Sequence, residues 1–160
     1  MLKFHNYDIV FQEIPNEVTL ALNISNCPNR CVGCHSPHLW EDTGEVLDEN
    51  VLAVLLEKYG CAVTCVCFMG GDGSPEELLH LAKFTKKHKK KTAWYSGNSE
   101  LFENSLSCFD YIKLGNYIEE LGGLKSSTTN QRFFLIENET MIDITYKFWK
   151  TKRDVKQAIQ

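Results

Sequence analysis

Apolar residues recur along the chain with two periods, two residues and three to four, and the change from one to the other marks out the elements. Val18, Leu20, Leu22 and Ile24 fall on one side of an extended segment whose other side carries Thr19, Ala21 and Asn23, the pattern of a core strand over 18–24. Before it, residues 7–11 alternate bulky and other positions and predict a short edge strand or hairpin arm, closed by Pro15 and Asn16. Leu47, Val51, Leu52, Val54, Leu55 and Leu56 supply the broad apolar face of a helix over 48–58, with Asp48 as its cap and Gly60 as its stop. The near-continuous apolar run 63–68 predicts a buried parallel strand.

Ser74 and Pro75 open a second helix, in which Leu78, Leu81, Ala82 and Thr85 recur at three and four. Strands are expected at 92–95 and 111–114, with a short helix at 100–104 between them. A hairpin is expected from 133–136 and 141–144 about Glu137, Asn138 and Glu139. Strands alternating with helices, several of them ending in glycine, predict an α/β fold with a mainly parallel sheet and flanking helices. The elements are too few to close an eight-stranded barrel, so an open partial (β/α) barrel is expected.

At 160 residues and 43% apolar, the chain can bury one good core and not two, so a single domain is expected, with its core at about 8–144. The net charge of −4 implies no general attraction to nucleic acid or membrane. The basic run from Lys86 to Lys91 lacks interleaved aromatics and complements a helix end. A second basic stretch, 145–160, holds Lys147, Lys150, Lys152, Arg153 and Lys156 against Asp154, and is expected to form a helix or tail over the sheet or on a partner. No apolar run reaches membrane-spanning length and the first residues lack the apolar core of a signal peptide, so a cytoplasmic protein is expected.

Seven cysteines, an odd number without a secretion signal, argue against a disulfide framework and for reduced thiols or metal. Cys27, Cys31 and Cys34 lie in C-x3-C-x2-C spacing, on a segment that Pro28, Gly33 and Pro37 keep out of helix and strand. Three soft ligands on one loop suit an iron–sulfur cluster with one iron left open for a substrate. Two other readings stand beside it: a structural zinc site completed by His35 or His38, and three incidental cysteines. The remaining four, Cys61, Cys65, Cys67 and Cys108, are expected to be small core residues, Cys65 and Cys67 facing the same way.

The stretch C-P-N-R-C-V-G-C-H-S-P-H-L-W resembles the signature of the radical S-adenosylmethionine enzymes. With F-M-G-G-D at 68–72, Y-S-G at 95–97, D-Y-I-K-L-G at 110–115 and T-N-Q-R at 129–132, the order of motifs is similar to that of the activating proteins of anaerobic ribonucleoside-triphosphate reductases. The resemblance spans about residues 8 to 136 and implies the partial barrel of the radical S-adenosylmethionine type. It implies a [4Fe-4S] cluster on Cys27, Cys31 and Cys34, with S-adenosylmethionine chelating the fourth iron. Cofactor contacts would come from Gly33, Cys34 and His35 beside the cluster, from Gly70, Gly71 and Asp72 in the glycine-rich motif, and from Ser96. Asp72 stands where the family usually has Glu.

The implied reaction is reductive cleavage of S-adenosylmethionine to a 5′-deoxyadenosyl radical, which generates a glycyl radical on the large subunit of the reductase. The implied electron donor is a flavodoxin or ferredoxin. Activation of a different glycyl-radical enzyme, or radical chemistry on a small molecule, would use the same motifs up to Asp72. A zinc-stabilised interaction module is the non-enzymatic alternative. The resemblance also offers Lys113 as a cofactor contact, beside a simple pair with Asp110, and Trp40 as a neighbour of the adenine, beside a core role.

Overall fold

The computed structural model describes residues 1–149. Eight strands form one sheet: β1 (Lys3–Val10), β2 (Thr19–Ile24), β3 (Glu45–Val46), β4 (Cys65–Met69), β5 (Lys91–Tyr95), β6 (Tyr111–Leu114), β7 (Arg132–Glu137) and β8 (Thr140–Asp143). Their spatial order is β3-β1-β2-β4-β5-β6-β7-β8. β2, β4, β5 and β6 run parallel and form the centre, while β3, β1, β7 and β8 add antiparallel flanks. The sheet is therefore mixed and open, with the mainly parallel character confined to its middle.

Two α-helices are present among the described residues, α1 (Glu49–Tyr59) and α2 (Pro75–Lys87). The Asp48 side chain accepts a hydrogen bond from Val51 N, as a cap does, and Gly60 N returns to Leu56 O. Pro75 opens α2, but the Ser74 side chain makes no capping bond. No helix among the described residues is long and apolar enough to cross a membrane.

The strand period sorts the core into two faces. Leu20, Leu22, Ile24, Val66, Phe68, Trp94 and Ile112 pack against Leu52, Leu55, Leu56, Leu78, Leu81 and Ala82 of the helices. Burying each large side chain of this set contributes about 1.5–3 kcal/mol. On the opposite face the alternate residues are small, Cys65, Cys67 and Ala93, and they meet Ile14, Tyr111, Phe133 and Ile144.

At the amino edge of the parallel strands Glu17, 8% exposed, pins three of them. It accepts hydrogen bonds from Lys91 Nζ at 2.7 Å, Tyr111 Oη at 3.0 Å and the Thr64 hydroxyl.

Four expectations are corrected. Of the two readings of 7–11 the hairpin arm holds, since β1 pairs antiparallel with β2, but β1 is not the edge, because the two-residue β3 pairs with it at Lys3 and Phe4. Residues 100–104 are not a helix; Asn104 takes a left-handed conformation (φ 65°) and the turn that follows is a 3-10 helix, Ser105–Ser107. The hairpin is tighter than expected, Asn138 and Glu139 alone forming a turn with positive φ at both positions. The segment after β8 opens with a 3-10 helix, Thr145–Phe148; of the basic stretch expected at 145–160, residues 150–160 lie outside the described residues.

Candidate metal centre

β2 releases the chain at Ile24 into the cysteine segment, at the edge of the sheet where β4, β5 and β6 also end. That edge is where open α/β sheets place ligands. The segment is closed on itself. Asn26 N donates to Glu41 O at 3.0 Å and Cys27 N to Leu39 O at 2.9 Å, so the two ends meet. Ser25 Oγ adds a bond to Thr43 O at 2.6 Å.

Inside the loop Cys34 N donates to Cys31 O at 3.1 Å, closing a turn over Val32 and Gly33, and Gly33 takes φ +77°. All three thiols are unpaired and half-buried. Ser36 N donates to Cys34 Sγ at 3.4 Å.

The turn after β4 packs directly on this loop. Gly70 and Gly71 have φ of +102° and +93°, conformations that disfavour any side chain. Gly70 N donates to Tyr95 O, Trp94 Nε1 donates to Gly70 O at 2.9 Å, and a side-chain carbon on Gly73 would lie 3.2 Å from Asn26 O. Asp72 joins three loops: it accepts from Asn29 Nδ2 at 2.9 Å, from Ser96 Oγ at 2.6 Å and from Gly97 N at 2.8 Å. Ser96, 1% exposed, also accepts from Asn98 N.

Lys113 lies between these parts. Its Nζ donates to Gly115 O at 2.7 Å and to Ser96 O at 3.1 Å, not to Asp110 as one expectation held. Asp110 is instead engaged by Lys86 Nζ and Thr92 N. Burial pulls Lys113 down to about 8, an effect opposed by Asp72 and by the thiols of Cys31, Cys27 and Cys34.

A cavity of about 620 Å³ opens beside the loop, lined among others by Cys34, His35, Tyr95, Lys113, Tyr117 and Gln131. This volume suits a ligand of cofactor size. A second depression of about 510 Å³, on the side of Asn29, Gly97 and Asn116, has polar walls.

The residues expected to form the site are therefore distributed in two shells. Cys34 and His35 face the cavity, whereas Gly70, Gly71, Asp72 and Ser96 stand outside its lining, with Asp72 and Ser96 bonded to each other. Gly33 packs under Tyr117 and Glu119. Trp40 is half-buried, does not line the cavity and has no hydrogen-bond partner for Nε1.

Sequence reasoning missed Asn29 and Tyr117. Asn29 sits inside the cysteine motif, where its amide was visible but its partner was not. T-N-Q-R has a use that resemblance did not specify: Thr129 Oγ1 donates to Gly122 O, Asn130 Nδ2 to Asn116 O, and Gln131 Nε2 to Gly115 O. These bonds staple the loop 116–130 at its base.

Cys65 and Cys67 are buried on one face, and burial pushes both thiols up, which makes them inert. Cys108 is buried as well, but Cys61 is exposed, because it follows the end of α1 at Gly60 rather than entering the core. Among the described residues, no three His, Cys, Asp or Glu side chains are grouped to hold a single metal ion. Comparison of the chain with protein-family models, curated proteins and solved structures gives no match.

Proposed function

We propose that this chain is a radical S-adenosylmethionine activating enzyme that serves an anaerobic ribonucleoside-triphosphate reductase. The observation that carries the reading is the placement of three unpaired, half-buried thiols on one closed loop at the carboxyl edge of the parallel strands, beside a cavity of about 620 Å³. The donor set fits a [4Fe-4S] cluster: three cysteine sulfurs on one loop, with a backbone N–H aimed at one of them. A single zinc ion requires its ligands to converge on one point, whereas thiolates on separate irons stand further apart. The preference for a cluster over the zinc-stabilised module rests on the spacing of the three cysteines and on the ordered motifs that follow them.

With its cluster and S-adenosylmethionine bound, the centre would supply one-electron cleavage of the sulfonium and a 5′-deoxyadenosyl radical able to take hydrogen from a glycine of the reductase. The residues of the chain bind, orient and exclude water. Cys27, Cys31 and Cys34 would hold the cluster. The Asp72 junction with Asn29, Ser96 and Gly97 keeps the cysteine loop and the glycine turn in register. Lys113 offers a buried cation to the carboxylate end of the cofactor. The open sheet is then the partial (β/α) barrel of this superfamily, its exposed mouth covered by the reductase, and a flavodoxin or ferredoxin delivers the electron.

Anaerobic reconstitution tests the reading. The expected product is a brown protein with about four irons per chain, which with reductant, S-adenosylmethionine and the reductase yields a glycyl-radical signal in electron paramagnetic resonance. A colourless protein binding one zinc would overturn it. A brown protein that cleaves the cofactor but leaves this reductase without a radical would point to another glycyl-radical partner or a small substrate.

A further inference from the structure

Tyr117 leaves the stapled loop toward the cysteines. Its ring centroid lies 5.2 Å from that of His35, with 48° between the planes, and its Cε1 is 3.5 Å from the point a side-chain carbon on Gly33 would occupy. Gly33 has no side chain, and the space this leaves is taken by the Glu119 carboxylate, whose Oε2 would lie 3.1 Å from such a carbon, together with the edge of the Tyr117 ring. Both rings, together with Cys34, line the same cavity.

The other aromatic residues of that cavity are committed elsewhere. Tyr95 donates its hydroxyl to Glu13 O, and Phe148 packs on Phe133 at 4.9 Å. The loop that carries Tyr117 is held at its base by Asn130 and within itself by Thr128 Oγ1 on Leu121 O at 2.8 Å. A ring held in place by such bonds loses little freedom when a flat ligand packs on it.

We infer that Tyr117 supplies the aromatic surface on which the adenine of S-adenosylmethionine packs. The inference rests on the proposed function, since it presupposes that cofactor. The purine is the one large flat part of the molecule, and the ring of Tyr117 lines the cavity with Cys34 and Lys113 and has His35 as its aromatic neighbour. Trp40, 77 positions earlier in the chain, does not line this cavity.

The test measures binding rather than turnover, on anaerobically reconstituted protein. Tyr117→Ala is expected to weaken S-adenosylmethionine and 5′-deoxyadenosine about three- to tenfold, to leave L-methionine binding unchanged, and to retain full iron content. Tyr117→Phe keeps the ring and is expected to bind all three ligands as the parent does. Unchanged affinity for 5′-deoxyadenosine in Tyr117→Ala overturns the inference. So does loss of iron from both Tyr117→Ala and Tyr117→Leu, which would make the residue a prop for the cysteine loop. A parent protein that takes up no cluster, or binds no S-adenosylmethionine, defeats the proposed function itself, an outcome recognised before any variant is made.

Discussion

Asp72 accepts a 2.9 Å hydrogen bond from the side-chain amide of Asn29, two residues after the first cysteine of the triplet. The same carboxylate holds Ser96 and Gly97, so one side chain fixes the loops that follow β2, β4 and β5. Replacing Asp72 with Ala leaves the buried Ser96 hydroxyl and the Asn29 amide without their acceptor. The expected cost is about 2–4 kcal/mol of unfolding free energy, since bonds to charged groups are the strong ones. Iron uptake at Cys27, Cys31 and Cys34 is expected to fall with it. Equal urea midpoints for parent and variant, with equal iron content, would show that Asp72 does not organise the loop.

Gly97 offers an independent probe of the same junction. A side-chain carbon there would lie 2.5 Å from Asn29 Nδ2, and that amide cannot retreat without leaving Asp72. Gly97→Ala is therefore expected to destabilise the fold by about 1–3 kcal/mol, the usual cost of overpacking. Restoring space with Asn29→Ala in the same chain should recover less than the whole loss, because the Asp72 bond stays broken. Thermal melts of the single and double variants measure both numbers.

Much of this architecture was legible in the order of residues, and the rest was hidden for identifiable reasons. The alternation of Leu20, Leu22 and Ile24 and the run from Val63 to Phe68 identify two central strands, because burial on one or both faces dictates period and composition. Asp48 gives the start of α1, because a cap is a local bond. The two-residue β3 carries no period, and so nothing in the sequence placed a further strand outside β1. The cysteine spacing located the candidate centre, but spacing along a chain says nothing about which distant loop touches it. Asn29 meets Asp72 across 43 residues, and Tyr117 reaches His35 across 82. Cys61 was misplaced because its neighbours in sequence are apolar, whereas the turn after α1 faces water.

Glu17 gives the fold a pH dependence with a definite sign. Burial alone would raise its pKa, but hydrogen bonds from Lys91, Thr64 and Tyr111 outweigh this and hold the carboxyl below its ordinary value. A depressed carboxyl stabilises the folded state above its unfolded pKa of about 4.3 and ceases to do so as pH falls through the lower folded value. Lys91, raised chiefly by its bond to Glu17, acts in the opposite window: its contribution is complete below about pH 10.4 and is lost as pH rises beyond that. Glu17→Gln is expected to be about 1–3 kcal/mol less stable than the parent at pH 7. The gap should close toward about pH 2, where the parent carboxyl is protonated too. A gap of the same size at both pH values would mean that the charge of Glu17 contributes nothing.

Thiol accessibility separates the cysteines without any assay of activity. Cys65, Cys67 and Cys108 are buried, Cys61 is exposed, and Cys27, Cys31 and Cys34 are half-buried on their loop. In metal-free, reduced protein an aromatic disulfide reagent is therefore expected to titrate four thiols quickly and the remaining three only on unfolding. Once a cluster occupies the triplet its three sulfurs are bonded to iron, and the quick count should drop to one, from Cys61. Cys61→Ser should then bring the quick count of the loaded protein to zero, whereas Cys31→Ala should prevent full iron loading and leave Cys27 and Cys34 reactive. A reconstituted protein in which all four thiols still react would show that iron had been taken up elsewhere, and the three cysteines would lose their claim as its ligands.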